Sequence, residues 1–202
     1  MATRYLILIL NGLTQGALFF ILGSGLTLTF GLMNVVNMSH GAFYLLSGYI
    51  AYSIVTSTGN WILAVLVGGG FMAVFGLLFE RILLKRVRDG GALPQTLLTV
   101  ALSMVIADLT LAIWGGTPLT LVVPRFLNPP IRLFGITYPG FRYLLMIVAV
   151  AIALVLYFLL YRTKFGIAVR ASVDDRETVS ALGVRNDVIY VSMFVLASFL
   201  AG

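Results

Sequence analysis

Three observations predict an all-α fold, a polytopic integral membrane helical bundle of about five spans plus the start of a sixth. Of the 202 residues 60% are hydrophobic, against about 45 to 50% in an ordinary globular domain. Only 10% are charged, against about 25%. Those charges fall in short stretches between apolar runs whose lengths approach the about 20 residues that a helix needs to cross a bilayer core. A soluble domain of this composition would have to expose large apolar patches to water. The net charge of +6 reflects basic stretches between the runs, the pattern that sets membrane topology, and not a nucleic-acid surface.

The elements follow in order. Residues 5–33 make the first apolar run, too long for a cleavable signal peptide, lacking an A-x-A-like end and preceded by a single basic residue, Arg4. Residues 41–56 make a short second run. The stretch before it holds Asn34, Asn37, Ser39 and His40 ahead of Gly41, so a broken or re-entrant helix is expected there. Residues 61–84, 93–114 and 143–161 are three further spans. The last run, residues 188–202, is 15 residues long and reads as cut off, either because the chain is a fragment or because partners complete the bundle. Residues 1–202 are thus read as a single transmembrane domain, incomplete at its C-terminal end.

Basic residues close to span ends orient the chain. The stretch of about residues 80–92 carries Arg81, Lys85, Arg86 and Arg88, and that of about 162–187 carries Arg162, Lys164, Arg170, Arg176 and Arg185; both are expected in the cytoplasm. Two spans separate them, as parity requires. The stretch of about residues 115–140 holds Pro118, Pro124, Pro129, Pro130 and Pro139 with only Arg125 and Arg132, and reads as an irregular external loop. Counting back places the N-terminus outside, with Arg4 as the opposing signal.

Gly12, Gly16 and Gly23 return to one face of the first span, a small-residue seam of the kind that lets membrane helices approach closely. Gly41 and Gly48 form a second, weaker one; the plainer reading is that glycine is common in membrane helices. The triplet Gly68, Gly69, Gly70 lies inside an apolar run without a following G-K-[ST], so it is no phosphate loop.

Ionisable groups at membrane depth are costly and so are functional candidates. Asp108 sits about two thirds of the way across the fourth span, and reads either as a proton relay or as a helix-packing carboxylate bonded to hydroxyls or water. The cluster Asn34, Asn37, Ser39, His40 and Gly41 reads as the border of a substrate path, because backbone freed by a helix break is tolerated only where it lines a cavity or is buried in protein. The alternative is a plain turn. With one His, no Cys, no H-E-x-x-H and no paired carboxylates, no metal, no cofactor and no hydrolytic site is expected.

The most specific segment is TKFGIAVRASVDDRETVSALGVRND, residues 163–187. Ala and Val at helical spacing and Gly183 as a stop predict one short surface helix. Gly166, Arg170, Ala171, Asp174, Ala181 and Gly183 resemble the cytoplasmic coupling segment of ABC-importer permeases. The stretch NGLTQGALFFILGSGLTLTFGLMNVVNMSHGAFYLLSGYIAY, residues 11–52, is similar to the opening of the branched-chain amino acid permeases, the LivH/LivM family, with Asn37, His40, Gly41 and Gly48 at the familiar positions. The resemblance implies a permease domain of the prokaryotic cytoplasmic (inner) membrane. It also implies a second, homologous permease, two cytoplasmic ATPase subunits and an extracytoplasmic substrate-binding protein as partners. Residues 174–183 would form the helix that docks on the ATPase, and residues 34–41 would border the translocation path. Members of that family continue for several spans beyond the coupling segment, whereas this sequence stops at Gly202. No nucleic acid is implied, and ATP hydrolysis would belong to the partner.

The residues leave other functions open: an ABC permease for urea or short amides, a secondary transporter or channel for a small polar solute, a membrane enzyme using His40, or a structural subunit. Energy coupling separates the first two classes. Uptake by the ABC permease requires the ATPase and survives Asp108→Asn, whereas uptake driven by an ion gradient and abolished by that substitution identifies a secondary transporter.

Overall fold

The computed structural model describes residues 2–32, 36–121, 123–124, 126–133 and 136–202. Asn34, one of the path candidates, and Arg125 of the loop lie outside the described residues.

Helix α1 (Ala2–Thr27) runs on through a π-helical stretch, Leu28–Leu32. Helix α2 (His40–Thr58) follows and ends at Gly59. The two-residue connection to α3 (Trp61–Phe79) includes Asn60, whose side chain accepts the Leu63 amide at 3.0 Å and so caps the new helix. A second π-helical stretch, Glu80–Leu84, carries α3 into α4 (Lys85–Val87). Residues 80–87, which composition reads as loop, are therefore helix. Their long basic side chains decorate the end of a membrane span, their stems on apolar surface and their charges reaching out of it. A single 3-10 turn, Arg88–Gly90, leads to α5 (Ala92–Trp114).

The proline-rich stretch is not irregular throughout. Strands β1 (Pro130–Leu133) and β2 (Ile136–Pro139) pair antiparallel, Pro130 opposite Pro139 and Leu133 opposite Ile136. Then come α6 (Gly140–Arg162), α7 (Lys164–Asp174), α8 (Arg176–Ala181) and α9 (Asn186–Ala201). The one surface helix expected over residues 163–187 is two, because the chain extends at Asp175 between them.

Four helical stretches are long and apolar enough to cross a membrane: Arg4–Gly31, Trp61–Val87, Ala92–Trp114 and Gly140–Arg162. α2 has 19 residues but carries Ser, Thr and Tyr along its length, and α9 is a shorter apolar helix. The polytopic, all-helical membrane bundle is thus the observed architecture. Its two ends differ. The first half of α1 lies at the ribbon end, where the Tyr138 hydroxyl hydrogen-bonds the Thr14 hydroxyl at 3.1 Å and donates to Asn11 Oδ1 at 2.9 Å. The opposite, basic end gathers the α4–α5 turn, the end of α6, α7, α8 and the start of α9.

The shortest of these apolar helices is the centre of the core. α9 packs on α3, α1 and α2, burying Met193, Phe194, Ala197, Ser198 and Ala201. Phe194 meets the buried ring of Phe43 edge-on at 6.4 Å, and Phe43 meets Phe75 and Phe79 the same way. Glycines on α3 permit the approach: a Cβ on Gly76 would overlap the Ser198 side chain, and one on Gly69 would stand 3.0 Å from the Phe199 ring. The seam read from sequence behaves differently. A side chain at Gly12, Gly16 or Gly23 would meet nothing within 4 Å, and Gly12 and Gly16 border an open groove of about 500 Å³ against Ala149 and Ala153 of α6.

Gly76→Val should therefore push α9 off α3 and cost about 1 to 3 kcal/mol, the usual penalty of overpacking. The measurement is thermal unfolding in detergent, and Ser198→Gly in the same chain should recover part of the loss by vacating the space.

Candidate functional site

Two constellations stand out. The first surrounds the break between α1 and α2. Asn37, Ser39 and His40 are buried there, together with Thr99 from α5. Asn37 Oδ1 accepts from both the Ser39 amide (3.1 Å) and the Ser39 hydroxyl (2.6 Å), a side-chain turn that starts α2. Thr99 holds the strand of chain from the other side: its Oγ1 accepts the Met38 amide at 3.1 Å and lies 3.2 Å from the Val36 carbonyl. Since Thr99 is seven residues into α5, the segment lies about 10 Å inside the helix end at 1.5 Å per residue. Backbone polar groups at that depth need partners, and these two side chains supply them.

His40 Nε2 donates to the Leu22 carbonyl of α1 at 2.9 Å, and its ring presses on Gly25, where a Cβ would come within 2.7 Å of Cε1 and 2.8 Å of the Ala197 carbonyl of α9. Nδ1 is buried with no hydrogen-bond partner among the described residues. Gly41 faces open space. The four described path candidates thus stand together in one turn. Asp108 does not join them; it lies on the exposed face of α5, with no ion pair or hydrogen bond among the described residues.

The second constellation is at the basic end. Glu80 is fully buried, and Arg88 forms an ion pair with its Oε1. The same guanidinium reaches Asp187 Oδ1 at 2.9 Å and lies 4.7 Å from the centre of the Tyr190 ring, while Gln95 Nε2 donates to the Arg88 carbonyl at 3.0 Å. Lys85 closes the group on Asp187 Oδ2 at 3.1 Å. The hydrogen bond from Lys85, reinforced by both positive charges, holds the Asp187 carboxyl below the usual carboxylate range. Asp187 is therefore ionised above that range and the contact is lost only as pH falls through the lowered value. These pairs join the end of α3 to the start of α9.

Beside it, α7 turns back on α6 as a stiff corner. The Thr163 hydroxyl accepts the Gly166 amide at 3.0 Å, and a side chain at Gly166 would collide with the Leu159 and Leu160 carbonyls. Arg170 Nη1 donates to the Leu160 carbonyl at 2.6 Å with its guanidinium 4.7 Å from the centre of the Tyr161 ring. The Ser172 hydroxyl lies 3.1 Å from Asn186 Oδ1 at the head of α9. Asp174 closes α7 and so belongs to this corner, whereas Ala181 ends α8. Gly183 follows with φ +85°, the left-handed conformation glycine adopts without strain, and the Val184 amide returns to the Val179 carbonyl at 3.3 Å. Between these two lies Leu182, 77% exposed.

A family model for the permease component of branched-chain amino acid transport systems matches residues 8–202. The chain belongs to this family. The permease is 23% identical to the branched-chain amino acid transport permease BraD of Pseudomonas aeruginosa, over 98% of this chain and 68% of that protein. It is 23% identical to LivH of Escherichia coli, over 95% and 66%, and 27% identical to a probable LivH of Methanocaldococcus jannaschii, over 90% and 59%. The chain thus spans about two thirds of the length of these curated relatives. No solved structure matches it.

Sequence reading of the permease found Asn37, Ser39 and His40 from their polarity in an apolar context. It missed Thr99, Glu80 and Leu182. Thr99 looks ordinary within a span, and a buried Glu80 followed by Arg81 resembles the edge of a charged loop; only the exposed Leu between Ala181 and Gly183 carried a readable signal, a large apolar side chain amid charges.

Arg88→Met should leave Glu80 buried without its counter-charge and cost about 3 to 5 kcal/mol, whereas Glu80→Met with Arg88→Met should restore most of that stability. Unfolding midpoints of the two variants beside the wild type decide it.

Proposed function

We propose that this permease is the membrane-spanning subunit of an ATP-driven ABC importer that carries branched-chain or related amino acids across the cytoplasmic membrane. Its basic end faces the cytoplasm, and hydrolysis takes place in a partner ATPase and not in this chain. Family membership over residues 8–202 and the names of the curated relatives support the transport reading. A second permease, two ATPase subunits and an extracytoplasmic binding protein complete the assembly. The substrate path runs by Asn37, Ser39, His40 and Gly41.

The single observation that carries the coupling role is the segment of α8 and Leu182. α8 is short; Thr178, Ser180 and Ala181 on it are exposed and Val179 is buried, and an exposed apolar side chain, Leu182, follows it outside the spans. An exposed Leu of this kind gains by burial in a partner's groove, at roughly 25 cal/mol per Å² of apolar surface. Behind it stand α7, clamped to α6 through Thr163 and Arg170, and α9, tied to α7 through Ser172. Displacing α8 therefore moves two spans together, which is the shear a path needs in order to open and close. The buried turn at Asn37 adjoins the same system, since the His40 ring and the Ala197 carbonyl of α9 both lie against Gly25.

Leu182→Asp and Gly183→Asp should each abolish ATPase retention when the tagged complex is purified in mild detergent, with membrane insertion unchanged. Arg170→Glu should leave the ATPase bound but reduce uptake at least tenfold, because it loosens the corner and not the docking surface. Wild-type retention and uptake in all three would overturn the coupling assignment.

A further inference from the structure

A cavity of about 410 Å³ opens at the basic end between the close of α3 and the head of α9. Arg81, Lys85, Arg88 and Arg185 line it, against the carboxylates of Glu80 and Asp187. Arg88 and Lys85 are committed to those two acids. Arg81 and Arg185 are not: both are exposed, and neither has an ion-pair partner among the described residues. Two positive charges are thus left over in one pocket, a surplus that favours an anion. Val188 and Val191 add an apolar part to its lining.

The surface next to the cavity narrows the chemistry. Phe71, Val74 and Leu78 are exposed along α3, and at about 100° per residue they fall within an arc of about 60°; Ile82, in the π-helical stretch that follows, is exposed as well. Arg81, in that stretch, and Lys85, just after it, line the cavity. An apolar stripe thus leads along a membrane span into a basic pocket at its foot. A soluble phosphate uses only the pocket and an acidic protein segment only its rim, whereas a phospholipid uses both. Basic pockets between spans on the cytoplasmic side are known to bind anionic lipid headgroups.

We propose that this cavity holds the phosphate headgroup of an anionic phospholipid, with Arg81 and Arg185 as its ligands and an acyl chain along the Phe71 to Ile82 stripe. The lipid spans the joint between α3 and α9 and braces it next to the Glu80, Arg88 and Asp187 group. The inference goes beyond the transport reading and does not depend on which solute is carried.

The test is native mass spectrometry of the permease purified with its bound partners, titrated with phosphatidylglycerol or with phosphatidylcholine. The wild type should retain phosphatidylglycerol in preference. Arg81→Gln and Arg185→Gln should each weaken that retention about fivefold, the equivalent of about 1 kcal/mol per basic residue, while Arg81→Lys keeps it. Arg162→Gln, at the same end but outside the cavity, should retain lipid as the wild type does. Equal retention of the two lipids, no loss in the doubly substituted Arg81→Gln, Arg185→Gln chain, or an equal loss in Arg162→Gln would each overturn the site. So would displacement by inorganic phosphate at the lipid's own concentration, which would mark a soluble anion, or loss of the lipid whenever the ATPase binds, which would mark an acidic protein surface.

Discussion

The close approach of α9 to the glycine face of α3 is the contact from which the rest of the structure hangs. Within a lipid environment apolar surfaces gain little by leaving the solvent, so helices associate through dispersion contacts and hydrogen bonds at short range. Gly76 and Gly69 make that range available by presenting backbone where Ser198 and Phe199 arrive. Once α9 is seated there, Phe194 reaches the Phe43 and Phe79 rings. The Ala197 carbonyl comes to rest against Gly25, where the His40 ring also lies, and the first turn of α9 delivers Asp187 to Arg88 and Lys85. The polar turn and the ionic group are both placed by one helix-to-helix distance.

These two constellations differ in how their polar groups are satisfied. The turn at Asn37 is closed by neutral side chains, Ser39 and Thr99, at ordinary hydrogen-bond lengths. Such bonds break and re-form at modest cost, about 0.5 to 1.5 kcal/mol each. The basic end is held by charge, including a fully buried carboxylate whose separation from its partner is far more expensive. The ionic joint is therefore the stiffer of the two constellations and the polar turn the softer.

Much of the fold was legible in the sequence because span length is set by bilayer thickness and shows as uninterrupted apolar runs. The weak second run became α2, and the polar residues ahead of it became the turn that starts it. What was not legible depended on pairing across the chain. Arg88 and Asp187 are 99 residues apart, and nothing in either neighbourhood names the other. Residues 80–87 read as loop because basic composition at a helix end and in a turn looks alike. Gly12, Gly16 and Gly23 advertised themselves by regular spacing yet meet no neighbour, whereas Gly76, which meets α9, stands seven residues after Gly69, the same spacing as the weaker pair Gly41 and Gly48. Spacing reports which residues share a face and not which face meets a neighbour.

The ribbon end carries a feature with a mechanical meaning. Trp61 opens α3 and stacks edge-on with Phe141, while Trp114 closes α5, lies 5.2 Å from Tyr49 and donates to Ser53 Oγ at 2.8 Å. Indole rings settle at the boundary between headgroups and acyl chains and resist movement in either direction along the membrane normal. Two of them on separate helices, each braced by a neighbouring aromatic, act as a waterline for that rim of the protein. A rim anchored in this way keeps its depth in the membrane, so a change in the tilt of α3 or α5 is taken up at the basic end.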